Sequence, residues 1–136
     1  MYKNILVPVA LDHEHNAAQA LEIAQSLRAE GGRITVLHVL EAVPGYVETY
    51  IPEEVRKNNQ AEAKASLDGM TIGVSGPIET HVILGHSGRS IVEYSKAHDN
   101  DCIVMASHRP GLQDYFLGST AGHVVRHATC GVHVVR

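Results

Sequence analysis

Short, continuously apolar runs alternate with longer amphipathic stretches along this chain. The first run is Asn4-Ile5-Leu6-Val7-Pro8-Val9. It has no polar break after Asn4, as a strand covered on both faces requires. From about Asn16 to Glu30, apolar residues recur at Ala17, Ala20, Leu21, Ala24 and Leu27, which is helical spacing. Gly31-Gly32 marks the predicted stop of that helix. A second strand is predicted over residues 33–40. A loop follows, with Pro44-Gly45 at its turn and then Tyr46 and Tyr50. An Ala-rich helix is predicted to start near Pro52, with Glu53 and Glu54 in its first turn, and to end near Gly69. The third strand is expected at about 79–84. Gly85-His86-Ser87-Gly88 leads into the next helix, where Ser87 or Ser90 is the predicted cap and Ser90 with Glu93 has capping-box spacing. The fourth strand is Cys102-Ile103-Val104-Met105-Ala106. A long turn over 107–117 precedes a helix beginning near Gly118-Ser119-Thr120, with a predicted core stripe of Ala121, Val124, Val125 and Ala128. The last strand is expected over 131–136.

Strands alternating with helices, with no composition break, internal repeat or low-complexity stretch, predict one α/β domain over residues 1–136. The expected architecture is a doubly wound, five-stranded parallel sheet with helices on both faces. Such sheets bind ligands at the carboxyl ends of the strands, where the winding direction reverses. The predicted reversal lies between strands one and four, so the loops to examine are 8–12 and 106–119.

Composition narrows the function classes. Aromatic residues make up 4% of the 136 residues and Trp is absent, so Val, Ile, Leu and Ala must build the core. No apolar run approaches the roughly 20 residues that cross a bilayer. The first apolar run is too short for a signal peptide and no small-residue cleavage site follows it. The expectation is a cytoplasmic protein without membrane insertion. A net charge of -4 with no basic block argues against nucleic acid as a partner. Cys102 and Cys130 both fall in predicted strands without CxxC spacing, and read as buried free thiols.

Candidate chemistry concentrates at the two switch-point loops. Gly118 would let backbone approach a ligand closely, and Ser119 and Thr120 place hydroxyls at a helix start whose unpaired amides favour anions. Arg109 could add a charge-assisted phosphate contact. The alternative is a plain helix entry with a capping Ser. Asp12, at the end of strand one, could accept from a ribose or hold a metal beside phosphates, or could be a cap or a solvated loop carboxylate. A P-loop is excluded, because GxxxxGK[ST] is missing, and no GxGxxG follows strand one. GxSxG is also missing, and the adjacent Ser107 and His108 form no evident nucleophile–base pair. His123 and His127 have zinc-compatible spacing, but with Arg126 they share the polar helix face and read as solvated. His38 reads as a hydrogen-bonded core residue, and His13 and His15 fringe the Asp12 loop.

Taken together, these residues resemble the universal stress protein family across nearly the whole chain. The resemblance rests on Tyr2-Lys3-Asn4-Ile5-Leu6-Val7-Pro8-Val9, Val36-Leu37-His38-Val39, Leu84-Gly85, Ile103-Val104-Met105-Ala106-Ser107-His108, Gly118-Ser119-Thr120 and Val132-His133-Val134-Val135, in that order and spacing. The nucleotide-binding branch of that family carries G-x2-G-x9-G-[ST] in the last loop. Here Ala106 and Arg109 stand where the first two glycines are expected, and the spacing to Gly118 is one residue shorter. The version present is similar to a small-protein subgroup that also binds ATP.

The resemblance implies roles for particular residues. Pro8, Val9 and Asp12 would line the nucleoside end, with Asp12 near ribose or a Mg²⁺ carried by the phosphates. Val39 would offer backbone contacts to adenine and Met105 would pack on the base. Ser107, His108 and Arg109 would follow the ribose and phosphates, and Gly118, Ser119 and Thr120 would hold the phosphates. A homodimer through the last strand is also implied, and a terminal, apolar edge strand favours it independently. The expected function is an ATP-binding stress-response regulator, exchanging ATP with ADP or AMP and acting on a protein partner the sequence does not name. The alternatives are a nucleotide-free dimeric interaction module, slow ATP hydrolysis without an evident general base, and a flavoprotein electron-transfer domain.

Overall fold

The computed structural model describes residues 1–11, 14–107 and 117–136, with the backbone alone at residues 14 and 15. Its elements run β1 (Tyr2–Pro8), α1 (Glu14–Leu27), β2 (Arg28–Glu41), α2 (Gly45–Glu48), α3 (Glu53–Met70), β3 (Ile78–Gly85), α4 (Ser87–Ala97), β4 (Cys102–Ala106), α5 (Ser119–His127) and β5 (Gly131–Val135). The five strands form one parallel sheet in the order β3-β2-β1-β4-β5. The chain winds outward one way from β1 through β2 and β3, then returns to β4 and β5 on the other side. The predicted reversal between strands one and four is therefore present.

The period-two alternation of side chains divides the core into two layers. Ile5, Val7, Ile34, Val36, Cys102 and Val104 face one side and pack under Ala20, Leu21 and Ala24 of α1 and Leu67 of α3. Leu6, Leu37, Val39, Ile103 and Met105 face the other side and meet Ile91 and Val92 of α4 and Ala121 and Val124 of α5. Both faces are covered, which is why the central strands β1, from Ile5 onward, and β4 are apolar without interruption.

Several boundaries differ from expectation for identifiable reasons. Helix α1 ends at Leu27, not Glu30, and Gly31-Gly32 lies inside β2. The pairing jumps from Tyr2↔Arg28 to Asn4↔Arg33, so the glycines form a bulge against β1. Gly31 has φ 77°, and a Cβ on Gly32 would sit 2.9 Å from the Tyr2 carbonyl oxygen. The residues after Pro44 include the four-residue α2 instead of an uninterrupted loop. Val125 is 45% exposed. It lies 100° around the short α5 from Val124, beyond the narrow face that Ala121 and Val124 bury. Cys130 precedes β5 and packs with the α4–α5 layer, whereas Cys102 lies in the α1–α3 layer. Burial pushes the Cys102 thiol up to about 11. Among the described residues no helix is long and apolar enough to cross a membrane.

Candidate functional site

A cleft of about 180 Å³ opens at the carboxyl edge of the sheet. It arises because β1 parts from its two neighbours differently. Toward β2, β1 stays paired as far as Pro8↔Leu37, and the Val9 amide donates to the Leu37 carbonyl at 2.8 Å. Toward β4, the pairing is Ile5↔Cys102 and Leu6↔Ile103 alone. Past Leu6 the two strands separate, and helices from both layers close the sides: Ala17 and Ala20 of α1, Ile91 of α4 and Ala121 of α5.

Eight of the candidate residues line this cleft: Pro8, Val9, Val39, Met105, Ser107, Gly118, Ser119 and Thr120. Asp12, His108 and Arg109 lie outside the described residues. Val39 and Met105 are nearly buried and form an apolar floor suited to a flat ring. Ser107 is pinned by three bonds. Its amide and hydroxyl donate to the Val135 carbonyl at 3.0 and 3.2 Å, and its carbonyl accepts from the Gly118 amide at 3.0 Å. A Cβ on Gly118 would stand 2.9 Å from that same carbonyl oxygen, so only glycine lets the start of α5 close onto the end of β4. Because the Ser107 hydroxyl donates to the last strand, it can offer the cleft only its acceptor capacity.

The two helices that begin at this edge end differently. At α5 the N-cap is Gly118 and among the described residues no side chain caps the helix, so its first amides are directed at the rim beside the Ser119 and Thr120 hydroxyls. At α4 the N-cap is His86, which makes no side-chain cap of its own. Ser90, expected as a cap, lies within the helix, its amide bonded to the His86 carbonyl at 2.8 Å. Ser87 donates instead of capping. Its amide donates to Glu41 Oε1 at 3.1 Å and its hydroxyl donates to the same oxygen. His86 Nδ1 lies 3.5 Å from Glu41 Oε2. The Ser87 hydroxyl holds the Glu41 carboxyl below the ordinary glutamate value, and His86 adds to this.

Three polar lining residues were not selected as site residues from the sequence. His38 is half-buried, and its Nδ1 lies 2.8 Å from the Val9 carbonyl. A carbonyl only accepts, so Nδ1 carries the proton and the bond fixes the ring at the mouth of the cleft. The core reading of His38 foresaw this bond but not its place. Asn16, in the first turns of α1, and Ser87 also line the cleft. A polar residue near the carboxyl end of a central strand was the available signal for His38. His123 and His127 lie with ring centroids 4.3 Å apart, and among the described residues no group of three or more His, Cys, Asp or Glu could hold a metal ion. The described part of the chain therefore supplies no metal site of its own.

The model of the universal stress protein family matches residues 1–136. The chain is 34% identical over 142 residues to universal stress protein G of Salmonella typhimurium, covering all of both chains. Among solved structures it is similar to the universal stress protein UspA of Lactobacillus plantarum (TM-score 0.78, 26% identity, 99% and 98% of the two chains covered). It also shares the fold of the universal stress protein of Archaeoglobus fulgidus in complex with dAMP (TM-score 0.65, 21% identity, 99% and 98% covered).

Proposed function

Because this chain belongs to the universal stress protein family, we propose that its cleft binds an adenine nucleotide as a regulatory ligand, with ATP exchanging against ADP or AMP. The observation that carries the reading is the pairing, across one crevice, of an apolar floor with a helix start that no described side chain caps. Val39 and Met105 offer apolar surface to a base, and the start of α5 offers amides to phosphate. The dAMP in the Archaeoglobus fulgidus protein supports the same ligand class. Pro8 and Val9 would border the nucleoside. Gly118, Ser119 and Thr120 would take the phosphates, with Ser107 behind them, and Asp12, His108 and Arg109 complete the proposed set. Mg²⁺ would be held chiefly by the phosphates, with Asp12 as the chain's candidate ligand. Two copies would pair along β5, which bonds to β4 on one side only among the described residues.

The test is to denature the purified protein and identify any released nucleotide by chromatography, then titrate the stripped protein with ATP, AMP and adenosine. Released adenine nucleotide, or saturable binding of the added ones, is expected. Failure of all three ligands to bind would leave the interaction-module reading in its place.

A further inference from the structure

The start of α4 and the start of α5 share one rim of the cleft, yet among the described residues only the first is occupied by a carboxylate. The helices touch closely: a Cβ on Gly88, in the first turn of α4, would come within 2.9 Å of the His123 side chain, one turn into α5. The two helices therefore run side by side, with roughly 8–10 Å between their axes. Glu41 reaches from the end of β2 to accept both the amide and the hydroxyl of Ser87, with His86 Nδ1 at 3.5 Å from its other oxygen. Ser87 itself lines the cleft. The carboxylate is therefore one hydrogen bond removed from the ligand space, and it already fills the position that an anion would take at α4.

We propose that Glu41 is a specificity-determining residue of this cleft, admitting phosphate at α5 alone and penalising each added phosphate charge. The inference rests on the nucleotide reading above and adds its regulation. The Glu41 side chain is 61% exposed, but Ser87 holds its carboxylate beside the cleft, and a negative charge there repels a triphosphate more than a monophosphate. It thereby offsets the extra contacts that ATP makes at α5. ATP and AMP then compete on similar terms, and occupancy follows their ratio in place of saturating with ATP.

The experiment is calorimetric titration of the wild type and Glu41→Gln with adenosine, AMP and ATP at low salt. Gln keeps an oxygen for Ser87 and removes the charge. Wild-type affinities for AMP and ATP should agree within about threefold, and E41Q should tighten ATP by about fivefold while adenosine changes by less than about twofold. Raised salt should shrink the difference between the two proteins. Wild-type binding of ATP more than about tenfold tighter than AMP would overturn the proposal without any variant. An unchanged ATP-to-adenosine ratio in a folded E41Q would overturn it as well, while leaving the nucleotide reading intact. A wild type that binds none of the three removes both.

Discussion

The starts of α4 and α5 are built from the same physics and finished in opposite ways. Each presents unpaired amides at the carboxyl edge of the sheet. At α4 a carboxylate from β2, 46 residues earlier in the chain, satisfies the first turn and bonds the neighbouring hydroxyl. At α5 the cap is a glycine without a side chain, pressed against the Ser107 carbonyl. One end is tied into the fold, and the other carries no side-chain bond among the described residues. A helix start alone therefore says little about binding, and what the chain has placed on it decides its use.

The largest expected effect comes from disturbing the open end. Gly118→Val should push Ser107 away from β4, costing about 1–3 kcal/mol of stability by overpacking and weakening ATP at least about tenfold. Thermal melts and titration would read both, and a variant with wild-type values would mean that the two segments move apart freely. Next comes the closed end, where Glu41→Ala strips the cap from α4. It should destabilise the fold by about 1 kcal/mol in urea denaturation, with Glu41→Gln recovering part of the loss. Indifference to both changes would show the α4 start to be as open as that of α5. Smaller again is Ser119→Leu, which should weaken ATP by about threefold to fivefold and adenosine hardly at all. Equal loss of the two ligands would place the phosphates elsewhere.

The smallest effect is the pH dependence of the closed end. The folded Glu41 carboxyl lies below its ordinary value of 4.5 because it accepts the Ser87 hydroxyl. The unfolded chain therefore binds this proton more readily, and the stabilisation is present above pH 4.5 and fades as pH falls through the folded value. The gap in melting temperature between wild type and E41Q should be flat near neutrality and narrow in acid. A gap that widens in acid would contradict the contact.

The strands and the switch point were legible because burial on both faces writes itself as unbroken apolar sequence. The topology then places Pro8, Val9, Met105 and Ser107 at one edge whatever their neighbours. Gly31-Gly32 was misread because a glycine pair after an amphipathic stretch has the local form of a helix stop. Its role as a bulge depends on β1, which local pattern does not contain. The Ser90–Glu93 spacing misled for the same reason, since a distant carboxylate reached the helix first. Val125 passed as core because a nine-residue helix is too short for periodicity to separate a wide apolar face from a narrow one.

The contact between Gly118 and Ser107 also bears on how such sequences diverge. A side chain there would force apart two elements that the fold needs joined, whether or not anything occupies the cleft. Selection for folding alone would hold this glycine in place after nucleotide binding had been abandoned. The glycine is thus a record of architecture. Among descendants of a common ancestor, loss of the ligand should register first at Ser119 and Thr120, where the chain is free to change without coming apart.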